Sequence, residues 1–353
     1  MIGTVEEKRT MGFGGVASSP PVAAGGVDVE AISRLAEQRQ RLNQQIAKVI
    51  IGQQEVIDNV LLTIFCGGHA LIVGVPGLAK TLLVRCLARA LHLSFSRIQF
   101  TPDLMPSDIT GTDIIQEDPA NGQRKLEFLP GPIFANLVLA DEINRTPPKT
   151  QAAMLQTMQE REVSIGAKTY PLPVPFHVFA TQNPIEMEGT YVLPEAQADR
   201  FMFSIQCGYP SAAEEERVVR TTTGTEFPEL TPVLNGEEIL EIQKLVRAMP
   251  ISDEVIRFAV TLVSRTRPED PAAPPYVKEF VRWGASPRAS QYLVLGAKAL
   301  AAVNGKLCAD PDGVRAVARQ VLRHRILTNF NARAQKVSVT DVIDRLLAEV
   351  RPR

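Results

Sequence analysis

The chain has 353 residues, 45% hydrophobic and 22% charged, which is the composition of globular domains and long enough for two of them. Lys+Arg 38 against Asp+Glu 39 leaves a formal charge of -1. A protein that holds nucleic acid by neutralising phosphates carries a basic excess, so a nucleic-acid partner is disfavoured, although local basic patches stay open.

The chain opens with residues 1–27, rich in Gly, Ala, Ser and Pro. They offer too little apolar surface to offset ordering entropy, and a disordered tail is expected. The first ten residues are charged and have no apolar stretch of signal-peptide length; no run of about 18 apolar residues follows anywhere, so no membrane span and a cytoplasmic location are expected. From Asp28, Ile32, Leu35, Leu42, Ile46 and Val49 fall on one helical stripe. A strand is expected at 70–73, a helix at 80–92, and a second strand at 95–100. A third at 137–140 is too apolar to be half-exposed, as befits a parallel strand covered on both faces. A helix at 150–162 and strands at 178–181 and 201–205 complete a parallel α/β layer. After Gly208-Tyr209-Pro210 the strands are expected to stop, with helices at 237–248, 253–264, 288–303 and 313–327. Ser286 and Pro287 form a helix start, and Gly305 a stop. The expected division is therefore a tail at 1–27, an α/β core at 28–208, a linker at 209–234 and a helical lid at 235–353. Cys66, Cys86, Cys207 and Cys308 lie far apart without zinc-site spacing and are expected as free, largely buried thiols, which fits a reducing compartment.

Between the first strand and its helix lies Gly74-Val75-Pro76-Gly77-Leu78-Ala79-Lys80-Thr81, a phosphate-binding loop in its required context. Its backbone amides and the helix N-terminus can cradle phosphate oxygens, Lys80 can reach the β and γ phosphates, and Thr81 can ligate magnesium. Ala79 stands where the common pattern has glycine; alanine disfavours positive φ, so the loop is expected to take a conformation there that alanine tolerates. The third strand ends in Asp141-Glu142. Hydrolysis needs one acid to hold magnesium and a second to orient the attacking water, which suits Asp141 and Glu142 respectively. Asn183, in Thr181-Gln182-Asn183-Pro184 at the end of the fourth strand, can touch both γ-phosphate and water, although Asn-Pro is also an ordinary turn. Arg200 precedes the fifth strand and reads either as a catalytic cation or as the structural ion partner of Asp199 or Glu195. Arg145 has two equal readings, a contributor to the site or a surface ion pair.

Leu137 to Arg145 (LVLADEINR), Gly74 to Thr81 (GVPGLAKT), Ala180 to Pro184 (ATQNP) and Pro194 to Phe201 (PEAQADRF) together resemble the MoxR branch of the AAA+ ATPases. The resemblance runs from about Ile51 to the end. It implies an AAA+ P-loop core, a parallel five-stranded sheet between helices, with a C-terminal α-helical lid. It places Lys80 and Thr81 in Walker A, Asp141 and Glu142 in Walker B, Asn183 at sensor 1 and Arg200 at the arginine finger given to a neighbouring subunit. Arg288 matches sensor 2, and Ile51-Gly52-Gln53 the segment near adenine. Alanine at position 79 is common in these relatives. Inserts are expected within 109–128 and, as a hairpin, within 163–175. ATP and Mg2+ are the implied ligands, a hexameric ring the implied assembly, and a protein with a von Willebrand A domain the implied partner. The leading function is a chaperone-like remodeller; a nucleic-acid motor or loader and a chelatase-like metal-insertion subunit are the alternatives. Arg319, Arg323, His324, Arg325, Arg333 and Lys336 are expected to give the last helices a basic face, read first as solvated or intersubunit and second as a nucleic-acid contact.

Overall fold

A computed structural model describes residues 28–117, 124–185, 189–224 and 228–352; the tail expected at 1–27 lies outside them. Helix α1 (Val29–Ile46) starts at Asp28, whose carboxylate accepts from the Ala31 amide at 2.9 Å, and buries the predicted stripe of Ile32, Leu35, Leu42 and Ile46. In order follow α2 (Gln54–Phe65), β1 (Ala70–Val73), α3 (Lys80–Ala90), β2 (Phe95–Gln99), α4 (Pro106–Thr110), β3 (Gly111–Glu117), β4 (Arg124–Pro130) and β5 (Leu137–Asp141). Then come α5 (Pro148–Glu160), β6 (Glu162–Ile165), β7 (Lys168–Pro171), β8 (His177–Gln182), α6 (Glu195–Ala198) and β9 (Phe203–Gln206).

Five of these strands form one sheet in the order β2-β5-β8-β1-β9, every neighbouring pair parallel. Alternate residues feed two cores. Ile72, Leu139, Phe179 and Phe203 join one with α2 and α3, while Leu71, Val138, Val178 and Ala180 join the other with α5. The two inserts are antiparallel pairs, β3 with β4 and β6 with β7.

The segment expected as a linker contains a helix, α7 (Ala212–Thr222), none of whose side chains is buried; Ser211 and Glu214 form its capping box. Beyond it lie α8 (Gly236–Ala248), α9 (Asp253–Ser264), α10 (Pro275–Phe280), β10 (Val281–Trp283), α11 (Pro287–Val303), α12 (Pro311–Leu322), β11 (Leu327–Thr328), α13 (Phe330–Ala334) and α14 (Val339–Glu349). Strands therefore do not stop at 208: β10 and β11 pair antiparallel, too short to carry a sequence signal of their own. The helix expected to reach 327 ends at Leu322, and the chain then turns inward. That turn breaks the expected basic face. Arg325 is buried, His324 is half-buried beside it, and Arg319 is paired with Asp344 at 2.7 Å. Three thiols are interior, Cys66, Cys86 and Cys207; Cys308, between α11 and α12, is exposed. No described helix is long and apolar enough to cross a membrane.

Two buried histidines tie the starts of β1 and β8 together. The Val178 amide donates to His69 Nδ1 at 2.9 Å, so the proton sits on Nε2, which donates to the Met158 carbonyl at 3.3 Å. His177 Nδ1 faces the Gly68 carbonyl at 2.8 Å and carries its proton there, while its Nε2 faces the Gln243 amide at 3.4 Å. Burial pushes His69 down to about 3, with His177 and Arg161 adding to the shift, and burial together with Arg161 pushes His177 down to about 4. Both are neutral in the fold but titrate near 6.5 when unfolded, so the unfolded chain binds more protons as the pH falls below that value. Stability should be full above pH 6.5 and decline toward pH 4 by about 1.4 kcal/mol per pH unit for each histidine. Denaturation at a series of pH values checks this; a flat profile between pH 6.5 and 4.5 would contradict it.

Candidate active site

At the end of β1 the chain leaves the sheet through the glycine loop. Gly74 is required sterically: a Cβ there would lie 2.6 Å from the Cys207 carbonyl oxygen and 2.9 Å from the Cys207 Cβ. Gly77 is required conformationally, with φ 85. Ala79 corrects the expectation drawn from its type. It does not escape the left-handed region but occupies it, φ 54, as the cap residue from which α3 starts. The methyl group makes that conformation unfavourable by about 1–2 kcal/mol, which the rest of the loop and helix must offset. Lys80 turns its ammonium onto the Gly74 carbonyl. Burial lowers its pKa, opposed by Cys207, Asp141 and Glu142. Thr81 follows in the first turn of α3.

β5 lies two strands from β1, and its end brings two carboxylates to the same edge. Asp141 is buried. Its Oδ2 accepts from Arg97 Nε at 2.9 Å and Nη2 at 2.7 Å, and its Oδ1 from the Thr181 hydroxyl at 2.6 Å. Glu142 sits at φ 57; its amide donates to Thr181 Oγ1 at 2.8 Å, and its Oε2 accepts from Gln99 at 2.9 Å and pairs with Arg145 at 3.0 Å. Arg145 is thus joined to Glu142. Arg97, Gln99 and Thr181 were not read from the sequence, because only the pairing of β2 and β8 with β5 brings them there.

Asn183 follows β8 on that edge. Its Oδ1 accepts from the Ile185 amide at 3.1 Å, and its Nδ2 is buried without a partner among the described residues. Gln53 shows the same pattern: its Nε2 donates to the Leu78 carbonyl at 3.3 Å, its Oε1 is buried and unpartnered among the described residues, and it has φ 55 next to Gly52 at φ 70. Ile51, partly buried, precedes them. Gln53, Ala79 and Glu142 are three of the six non-glycine residues with positive φ among those described, and strain of this kind concentrates where function over-determines the backbone. A cradle that admits no Cβ at Gly74, unspent polar atoms on Gln53 and Asn183, and the oxygen donors Thr81 and Asp141 fit a nucleotide with magnesium.

Arg200 and Arg288 lie elsewhere. Phe203 is level with Ala70, the first residue of β1, so Arg200 stands at the starting edge of the sheet, and the P-loop follows the other end of β1 about 13 Å away. The two arginines are together there, lining a cavity of about 230 Å3 with Arg161, Arg247, His69 and Tyr292. Asp199 pairs with Arg288 at 3.3 Å and with Arg325 at 2.7 Å, and Arg200 has no carboxylate at ion-pair distance among the described residues. The structural ion pair considered for Arg200 is therefore absent. Burial and Arg288 lower the Arg200 pKa, with Glu160 opposing.

A parallel sheet with a phosphate loop, paired acids and a polar amide along one edge, and a helical lid beyond it, defines an AAA+ ATPase architecture. The family model described as "ATPase family associated with various cellular activities (AAA)" matches residues 69–203, and that of the AAA lid domain matches residues 275–346. Chaperone MoxR1 of Mycobacterium tuberculosis is 42% identical over 96% of this chain and 88% of its own length. Protein MoxR of Paracoccus denitrificans is 33% identical over 79% of this chain and 85% of its own. A Cytophaga hutchinsonii protein of known crystal structure superposes with a TM-score of 0.85 at 39% identity, covering 92% of this chain and 97% of that one. The chain belongs to the MoxR family of AAA+ ATPases.

Gly74→Ala should force the loop away from Cys207 and weaken binding of a fluorescent ATP analogue by at least about tenfold, or 1.4 kcal/mol. Wild-type affinity in a fluorescence titration would show that the loop absorbs the methyl group.

Proposed function

We propose that this protein binds ATP with magnesium and hydrolyses it within a ring of its own copies, a hexamer, as a chaperone that remodels partner complexes. The observation that carries the reading is the division of the chemistry between two edges of one sheet. The phosphate loop, Asp141, Glu142 and Asn183 share one edge; Arg200, without an ion partner among the described residues, and Arg288 share the other. Phosphoryl transfer spreads charge over the γ-phosphate oxygens, and an arginine there is worth on the order of 10³–10⁵ in rate. A neighbouring copy whose arginine edge faced this chain's loop would supply one.

The roles follow from position. The loop amides and Lys80 hold the phosphates, and Ile51, Gly52 and Gln53 border the base. Thr81 and Asp141 hold magnesium, which when bound neutralises phosphate charge. Arg97 and Thr181 fix the Asp141 carboxylate, leaving Glu142 to orient water and accept its proton and Asn183 to donate its Nδ2 hydrogens to the γ-phosphate. The core at 28–208 and the lid at 235–353 are the two bodies whose relative motion would be passed to a client. The name of the MoxR1 relative supports the chaperone reading. The family resemblance supports a separate partner with a von Willebrand A domain, and the interior thiols fit a cytoplasmic location. A nucleic-acid motor is less favoured, because the basic face of the last helices is interrupted where Arg325 is buried and Arg319 is paired.

Glu142→Gln should retain ATP while turnover falls by at least about 10²-fold, because the neighbouring magnesium ligand survives and the water-orienting carboxylate does not. A phosphate-release assay beside an ATP-binding titration checks both halves; near-normal turnover would remove Glu142 from its role. Mixing Arg200→Ala subunits with Lys80→Ala subunits should restore part of the activity that each lacks alone. No recovery at any ratio would return Arg200 to its own subunit.

A further inference from the structure

Arg325 belongs to the lid, in the turn between α12 and β11, yet its side chain is only 1% exposed. Burying a guanidinium is unfavourable by several kcal/mol unless its donors are satisfied. Here all five N–H groups are used. Nε donates to Asp199 Oδ1 at 2.7 Å, Nη2 to the carbonyls of Asp199 at 2.9 Å and Phe201 at 2.6 Å, and Nη1 to the carbonyls of Met202 at 3.2 Å and Val321. Four of the five bonds end on residues 199–202, the segment that carries Arg200. Other lid side chains complete the grip. The Tyr292 hydroxyl donates to the Arg200 carbonyl at 3.3 Å and its ring lies 5.1 Å from the Arg325 guanidinium; His324 Nε2 donates to the Phe201 carbonyl at 3.0 Å. Ser286 and Arg288, at the start of α11, hold the Asp199 carboxylate. The carbonyls of four successive residues, 199 to 202, thus all accept from the lid.

We propose that Arg325 is a positioning residue for Arg200: the lid, through Arg325 and Tyr292, sets the backbone from which Arg200 is presented to the neighbouring copy. Lid placement in one subunit then controls hydrolysis in the next. The inference rests on the reading of Arg200 given under Proposed function. Anchoring for stability alone would not need hydrogen bonds to the carbonyls on both sides of one arginine and to that arginine's own carbonyl.

The test is a double-mutant cycle on the full chain, reading kcat, KM for ATP and melting temperature. Arg325→Lys keeps the charge but loses the planar fork. It should lower kcat at least about tenfold with KM within about twofold, because the ATP held by the same subunit is untouched. Combined with Arg200→Ala, it should be no slower than Arg200→Ala alone, since its effect passes through Arg200. Multiplied losses in the double variant would overturn the proposal. If Arg200→Ala is slow while Arg325→Lys keeps wild-type kcat, the proposal fails and the reading of Arg200 stands. If Arg200→Ala itself keeps wild-type turnover, the reading of Arg200 fails, and the proposal with it. Should Arg325→Lys not fold, Tyr292→Phe decides, since it removes only the bond to the Arg200 carbonyl. An approximately threefold or larger fall in kcat that vanishes in the Arg200→Ala background supports the proposal, and wild-type kcat overturns it.

Discussion

β1 is paired in parallel on both sides, with β8 and with β9, and almost everything of chemical interest is placed by that double pairing. A parallel sheet has a polarity: every strand starts at one edge and ends at the other. Because β5, β1 and β8 end together, the residues that leave them, Asp141 and Glu142, the glycine loop and Asn183, meet along one edge although more than a hundred positions separate the loop from Asn183 in sequence. Because β9 starts beside the start of β1, Arg200 is held at the opposite edge, with the length of a strand between it and the loop. A shift of the β1–β9 register by two residues would carry Arg200 along the strand axis and dissolve the arrangement.

The helices flanking the sheet do more than cover it. The lid packs on the same side as α2 and shares one continuous core with it, so Val246, Leu293 and Val317 belong to the same apolar body as Phe65 and Phe203. Many of its polar contacts with the core fall on residues 199–202. A rigid apolar contact carries the load and a hydrogen-bonded one sets an angle; the two are adjacent here, as they must be if small changes in lid orientation are to reach a specific backbone segment.

What the sequence made legible was whatever is local. The glycine loop, the apolar strand ending in Asp141-Glu142, the Asp28 cap and the Ser286-Pro287 start each depend on neighbours within a few residues, and each lies where the pattern put it. Residues whose role depends on distant pairing were invisible. Arg97 meets Asp141 only because β2 lies beside β5, and Thr181 only because β8 lies on the other side. Arg325 was misread for the same reason: in a run with His324 and Arg323 it resembled part of a solvated helix face, but the helix ends at Leu322 and the turn faces inward. Ala79 failed differently. Residue type predicts what a backbone prefers, and at Ala79 the path of the loop into α3 prevails over preference.

The partition of the thiols has a practical side. Cys66, Cys86 and Cys207 are buried, and burial raises the pKa of each, so their thiolates are scarce at neutral pH. Cys308 alone is exposed, on the lid. A maleimide dye would therefore settle on one atom per chain without any substitution, and in an assembly of copies resonance energy transfer among those dyes would measure the spacing of the lids and any change in it.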